Sequence, residues 1–517
     1  MTLWQLLEFL QKPTRTGFIN KDHTQEKLNT LRIIAVEGTS QIIFALIPLL
    51  KDENAQIRDA AYHTIIHLFR KIDSKKSHYE ALKDCRIVQS DIDFYEANFT
   101  EQQFTELLII SSLNGNGYSR EKAIIKLSEI QKPRAIKFII YRLADWVAPI
   151  RETAVKAIRQ YLSFDYIETL IDNLSVIEWL KSVERIDLTD IYQEIIEFLA
   201  STNRAYLLDN FSKFHEMPRL ILAKHISANL QNRSAELTLL LNDKHFLIRN
   251  LALDHFQMLD NDQINKLLHD KSAHIRLRTL YCLKDTIEFK SILIDFLADE
   301  SANIRHLARF TLKNSSINFP DFYNQNQQEG KQIIGSISGL AEMDAKQYAG
   351  AIKKYLDSKS NKFRKSAFLS IQKLDNNSAL EFALANIANA QIELKNLIID
   401  FLAKNPTNEV LKKARELYII GSEEEKKMML KLFHKIGGWV VIADLILGTI
   451  DQNEHIREIS LEYLQTWKNK AIRLFSSPNQ DDFLRIRQIF DFAREMHNEK
   501  HFFDSNPLDG LDFYFKK

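Results

Sequence analysis

Residues 241–312 contain one pattern written three times: LNDKHFLIRNLALDHF, LHDKSAHIRLRTLYCL and LADESANIRHLARFTL. Each copy opens with Leu, has an Asp two residues later, and places an Ile–Arg pair so that the Arg lies six residues after the Asp. The pairs are Asp243 with Arg249, Asp270 with Arg276, and Asp299 with Arg305. A small residue follows three beyond the Arg (Ala252, Thr279, Ala308), and a large apolar one seven beyond it (Phe256, Leu283, Leu312). Self-similarity at a period of roughly 30 residues restricts the chain to a stacked-repeat architecture. One short unit cannot bury its own apolar stripe, and stacking on neighbours does.

The same pattern recurs along the chain. It carries Asp52, Arg58, Ala61 and Ile65; then Asn114, Arg120, Ala123 and Leu127; then Asp145, Arg151, Ala154 and Ile158; and later Asp451, Arg457, Ser460 and Leu464. One copy has an extra residue between Asp357 and Arg364. Degenerate copies fill the gaps around Arg219, Lys395, Lys426 and Arg487. Each unit reads as two helices, the first opening near the Arg with apolar residues at helical spacing. Pro133 suits the first turn of a helix. Gly437–Gly438 suits the turn between two helices. Ser422 with Glu425 reads as a capping box.

The shared L-x-D-x-x-x-x-I-R-x-x-A-x-x-x-[L/I/F] pattern, from about residue 45 to about 490, resembles the HEAT-repeat family. The resemblance implies an all-α fold, a right-handed α–α superhelix of about 14 helical hairpins. It also implies that the Asp and Arg form a structural ladder along the inter-repeat turns: Asp52, Arg58, Asp145, Arg151, Asp243, Arg249, Asp270, Arg276, Asp299, Arg305, Asp451 and Arg457. The expected organisation is capping helices over 1–40, a repeat array over 41–475, and a C-terminal cap helix with an aromatic tail over 476–517. The period blurs at 72–112 and 163–215, where bent units and any special function are expected.

Composition excludes several classes. Hydrophobic residues make up 45% of the 517, and Gly (13) and Pro (9) are scarce, so the chain is mostly helix with short turns. Lys+Arg (69) and Asp+Glu (68) nearly cancel, which speaks against a chain built wholly to coat nucleic acid or an anionic membrane. Two cysteines, Cys85 and Cys282, without metal spacing fit reduced thiols in a cytoplasmic protein. The opening MTLWQLLEFLQKP lacks the basic and small-residue marks of a signal peptide. Trp4, Leu7 and Leu10 are expected on the inner face of the first helix. No apolar run is long enough to span a bilayer.

Candidate chemistry is sparse, and neither a catalytic residue, a metal nor a cofactor is expected. His63 and His67 have the spacing of a two-His site but no HExxH glutamate. His245, His255, His269, His274 and His306 read as loop and surface histidines. Asn114–Gly117 lacks the GK[ST] of a phosphate loop and reads as a turn. Asp145–Trp146 invites comparison with HEAT-like DNA glycosylases, but no basic arginine pair stands beside it in the sequence. HEAT-like lyases find no support beyond the repeat. The zone 331–440 carries 18 Lys and Arg against 12 Asp and Glu. Its candidate binding patch is Lys353, Lys354, Lys359, Lys362, Lys365, Lys412, Lys413 and Arg415. The expected function is a non-catalytic scaffold or adaptor for a protein partner, with nucleic-acid binding through the basic zone as the alternative.

Overall fold

The computed structural model describes residues 2–16, 21–72, 75–388, 391–471, 476–500 and 506–514. The fold is all-α. Among the described residues the sole sheet is a two-residue antiparallel pair, Arg15–Thr16 with Lys21–Asp22, in register Arg15 to Asp22. The chain forms two compact units, Met1–Ile275 and Arg276–Lys517. Among the described residues no helix is long and apolar enough to cross a membrane.

The helices arise where the sequence pattern places them. In the first unit the pattern's Arg helices include Ala55–Arg70, Gly117–Ile130, Ala148–Gln160 and Phe246–Ala252. In the second they include Ala302–Thr311, Asn361–Leu374 and Glu454–Ala471. The small residue three beyond each Arg is fully buried: Ala61, Ala123, Ala154, Ala252, Ala308 and Ala367, with Thr279 and Ser460 in the same role. A larger side chain there would be forced into the neighbouring helix. Helix packing is closer still at Gly335, where a Cβ would stand 1.8 Å from the Ala298 carbonyl oxygen. Local signals also hold: Ser422 and Glu425 form a capping box, Pro133 opens a 3-10 turn, and Gly437 and Gly438 adopt φ of +64° and +69°.

Two expectations need correction. Trp4 is not an inner-face residue. Leu6, Leu7 and Leu10 are buried and Leu3 partly so, while Trp4 is 70% exposed, because the inward stripe runs through these leucines and not through Trp4. Phe256 is only partly buried, since its helix gives way after Ala252 to a kinked 3-10 segment, Leu253–Met258. The aromatic tail falls partly outside the described residues, at 501–505 and 515–517. Its described part folds back onto the second unit, burying Leu508 and Leu511 and setting Tyr514 edge-on to Trp467.

The segments of blurred period are built from short pieces. Residues 163–215 contain 3-10 turns at Phe164–Tyr166 and Leu180–Ser182 and a π-helical turn at Phe198–Thr202. Neither segment carries the full L-x-D-x-x-x-x-I-R run.

Candidate interaction surface

The pattern's Arg has two jobs, divided between the two sides of its guanidinium. Nη1 donates to the carbonyl of the Asp six residues earlier and to the next carbonyl. Arg58 reaches Asp52 O at 2.9 Å, Arg151 reaches Asp145 O at 3.0 Å, Arg249 reaches Asp243 O at 2.9 Å, and Arg457 reaches Asp451 O at 2.9 Å. In several copies Nε and Nη2 then fork onto an acid further along the chain, while Arg58, Arg151 and Arg457 make only the backbone contacts among the described residues. In the first unit Arg120 takes Asp145 (3.1 and 3.0 Å), Arg219 takes Asp243 (3.1 Å) and Arg249 takes Asp270 (2.6 and 2.7 Å). In the second, Arg276 takes Asp299 (2.8 and 2.6 Å), and Arg305, whose Nη1 holds Asp299 O at 2.6 Å, takes Glu342. The Asp also fixes its own turn, accepting the N–H two residues on, as from His245, Ser272 and Ser301 at 2.7 Å each. Lysines serve two of the acids: Lys27 meets Asp52 at 3.4 Å and Lys426 meets Asp451 at 2.8 Å.

One turn departs from this economy. Four arginines bond to the three residues Ala144–Trp146. Arg120 and Arg142 share the Asp145 carboxylate, Arg142 at 2.9 Å. Arg151 holds the carbonyls of Asp145 and Trp146, and Arg185 donates to the carbonyl of Ala144. The Arg185 guanidinium lies 3.9 Å from the centre of the Trp146 indole. That geometry is a cation–π contact. Burial drives Arg142 down to about 10 against the pull of Asp145, and Arg120 nearby adds to the fall. Burial alone would raise Asp145, but the Arg120 hydrogen bonds and the Arg142 charge hold it below the usual carboxylate range. With its side chain 1% exposed and both oxygens engaged, Asp145 has no free lone pair facing solvent for a glycosylase-type reaction.

Exposed rings stand on this edge. Trp146 is 76% exposed and Tyr118, on the turn that Arg120 joins to Asp145, is 74% exposed. The Tyr118 turn is rigid: Asn116 caps its helix by accepting the N–H groups of Tyr118 and Ser119, and Arg120 holds the carbonyls of Asn114 and Gly115. Asn114 Oδ1 accepts the Asn116 N–H and Asn116 Oδ1 accepts those of Tyr118 and Ser119, so these amides are already used within the turn. Gly115 and Asn116 also line a cleft of about 1070 Å³, with Trp4, Phe44, Pro48, Cys85 and Val88. Burial pushes the Cys85 thiol up to about 12, which makes it an apolar wall rather than a nucleophile.

The basic zone is less free than its composition suggests. Lys353 pairs with Asp375 at 2.7 Å, Lys365 with Glu393, and Arg415 forks onto Asp444 at 3.0 and 3.0 Å. Asp444 also takes Arg485 and is buried, so Arg415 belongs to the packing of the C-terminal helix Gln480–Lys500. Lys354 lies over the Tyr355 ring, and Lys359, Lys362, Lys412 and Lys413 have no acidic partner among the described residues.

The histidines do not converge. His63 faces Asp59 at 3.6 Å, His245 faces Glu216 at 3.3 Å, His255 meets Ser227 at 3.0 Å, and His269 meets the Asn265 carbonyl at 2.9 Å. His274 lies edge-on to Phe246, and His306 stacks on Phe310. Among the described residues no group of three or more potential metal ligands occurs. A polar group that spacing could not reveal joins Tyr192 to Glu178 and, at 2.9 Å, to His225. Arg142 was detectable in principle, three residues before Asp145 on the end of a helix. Arg185 was not, since it comes from the segment where the period fails.

No family profile matches the sequence, and no curated protein matches it. Among solved structures, a similar chain comes from one described as Kap95p binding inducing the switch loops of RanGDP to adopt the GTP-bound conformation. The identity is 11% and the TM-score 0.29; the match covers 99% of this chain and 65% of that one.

Proposed function

We propose that the chain is a non-catalytic, HEAT-like helical-repeat scaffold of the cytoplasm that binds a protein partner along the turn edge of residues 1–275. The observation that carries this reading is the pair of exposed rings, Tyr118 and Trp146, held on adjacent turns by the buried Arg120–Asp145 fork. Aromatic residues dominate the energetics of protein interfaces, and rings on a fixed backbone lose little freedom when covered. The apolar cleft that begins at Gly115 and Asn116 extends the same surface. The recurring acid–base pairs support a structural role, since a catalytic pair is needed once and a joint is needed at every repeat.

Site-specific photocrosslinking in the native host tests the reading. A photoreactive residue at position 118 or at position 4 should trap one discrete protein. The same residue at Glu424, exposed in the second unit, should not. Equal labelling at all three positions, or none at 118 and 4, would refute it. Nucleic-acid binding through Lys359, Lys362, Lys412 and Lys413 has thinner support, since the zone's other cations are largely paired. Retention on a phosphate matrix at low salt, lost on Lys359→Glu with Lys362→Glu, would favour it instead.

A further inference from the structure

We infer that the Ala144–Trp146 turn is the docking point for an acidic segment of the protein partner. Its carboxylate sits against Arg151 and Arg185, and an adjoining apolar side chain covers the Trp146 indole. The inference rests on the protein-binding reading above and names the chemistry of what is bound.

The argument begins from equivalence within the chain. Arg120, Arg249 and Arg276 hold the same sequence position as Arg151, and each forks onto a carboxylate through Nε and Nη2, whereas Arg58 and Arg457 stop at the backbone carbonyls and have no second arginine bonded to their turns among the described residues. Arg151 makes the backbone half of the contact, at 3.0 and 3.2 Å, yet its Nε and Nη2 have no acceptor among the described residues. The reason lies in the sequence and its folding: the L-x-D triplets after 163, at 170–172, 188–190 and 207–209, lie in or at the start of helices and none brings an acid to it. That segment delivers a further cation instead. Arg185 returns over the indole, bonds the Ala144 carbonyl, and has no carboxylate partner either. Asp145 cannot serve them, because Arg120 and Arg142 occupy both of its oxygens. Four guanidiniums thus meet one bonded carboxylate. Guanidinium edges with no bonded carboxylate at a surface turn attract an anion, and the planar fork of Arg favours a carboxylate that can take two parallel bonds.

The surroundings favour an acidic side chain over a phosphate backbone. Glu152, Glu184 and Asp187 are exposed beside Arg151 and Arg185 in the chain. A phosphodiester strand running over the turn would pass these acids, whereas a single carboxylate need not. The Trp146 indole, 76% exposed with Arg185 against it, fits an apolar neighbour on the same segment.

A random-peptide display library selected on the full chain, and in parallel on the Arg185→Glu chain, tests this. Arg185 is exposed, so the variant keeps the fold, which circular dichroism checks. Peptides enriched on the native chain should carry Asp or Glu beside a large apolar residue and should be absent from the variant pool. The leading peptide, measured by fluorescence anisotropy, should lose about tenfold in affinity on Arg185→Glu, and about as much when its own Glu becomes Gln. Arg151→Lys should weaken it less. No acidic enrichment, or identical pools on both chains, overturns the inference. So does a single-stranded oligonucleotide that binds more tightly than the peptide and is released by Arg185→Glu. Crosslinking at 118 and 4 reports on the protein-binding reading separately, so it can stand where this inference falls.

Discussion

Replacing Asp145 by Asn removes one charge from the most heavily loaded joint in the first unit. The carboxylate accepts from Arg120 at 3.1 and 3.0 Å, from Arg142 at 2.9 Å and from the Val147 N–H at 3.0 Å. Its side chain is 1% exposed, and those of Arg120 and Arg142 are 10% and 11% exposed. Asn keeps the shape but turns an NH₂ toward two guanidiniums that are largely shielded from water. Breaking a buried ion pair by removing one partner costs about 3–5 kcal/mol. The control is Asp93→Asn, whose partner Lys122 lies at 2.5 Å on the surface, where pairs are worth about 0–1 kcal/mol. With two compact units in the chain, one global unfolding midpoint would mix two events. Hydrogen exchange of the helices Gly117–Ile130 and Ala148–Gln160 reads the joint directly. The pH dependence adds a second check. Asp145 is held below the usual carboxylate range, so its stabilisation is complete above the unfolded pKa of about 3.9 and is lost as pH falls through the folded one. The gap between Asp145→Asn and the native chain should therefore be constant near neutrality and close below about pH 4. A loss under about 1 kcal/mol at neutral pH, no larger than at Asp93, would refute the claim that this carboxylate holds the turn.

Other joints give sharper local outcomes. Gly335→Ala drives a methyl into the Ala298 carbonyl, so a thermal melt of the second unit should fall markedly, while Gly350→Ala, with nothing within 4 Å, should not. Asp444→Asn leaves Arg415 and Arg485 without their shared acceptor, and limited proteolysis should then cut within Gln480–Lys500 first. Ala308→Leu overpacks a fully buried contact and should cost about 1–3 kcal/mol by urea denaturation.

The repeat was legible because burial and spacing are coupled: the small residue after each Arg is small since a helix lies against it. The joints were legible where the pattern is whole, as at Asp243, Arg249 and Asp270. They were hidden where tertiary structure supplies the acid from elsewhere. Arg305 finds Glu342 on a helix, Arg204 finds Glu236 at 2.7 Å, and Asp444 gathers two arginines from positions with no shared motif. The candidate surface was the least legible part. The sequence shows Asp145 beside Trp146, but Arg185 lies 39 or more residues further on, in a segment without period, so only the fold brings it over the ring. Counting charges misled in the opposite direction at 331–440, because a lysine and its acid can be adjacent in space and far apart in the chain.

The value of one joint also depends on whether its fork is filled, and two arginines at the same pattern position separate the cases. Arg249 is buried, with its side chain 6% exposed, and forks onto Asp270, itself 8% exposed. Arg364 sits one residue out of step with Asp357, makes no bond to that residue's carbonyl, and leaves a buried Nε without an acceptor among the described residues. Methionine preserves much of the volume of either side chain and removes the charge. At Arg249 it strands the Asp270 carboxylate, so Arg249→Met should cost about 3–5 kcal/mol. At Arg364 it relieves an unsatisfied buried donor, which by itself costs about 1–3 kcal/mol, so Arg364→Met should be neutral or stabilising. Hydrogen exchange of Arg233–Leu241 with Phe246–Ala252, and of Asn361–Leu374, measures each locally. Equal losses at the two sites would show that the arginine stem, and not the carboxylate it meets, holds these turns together.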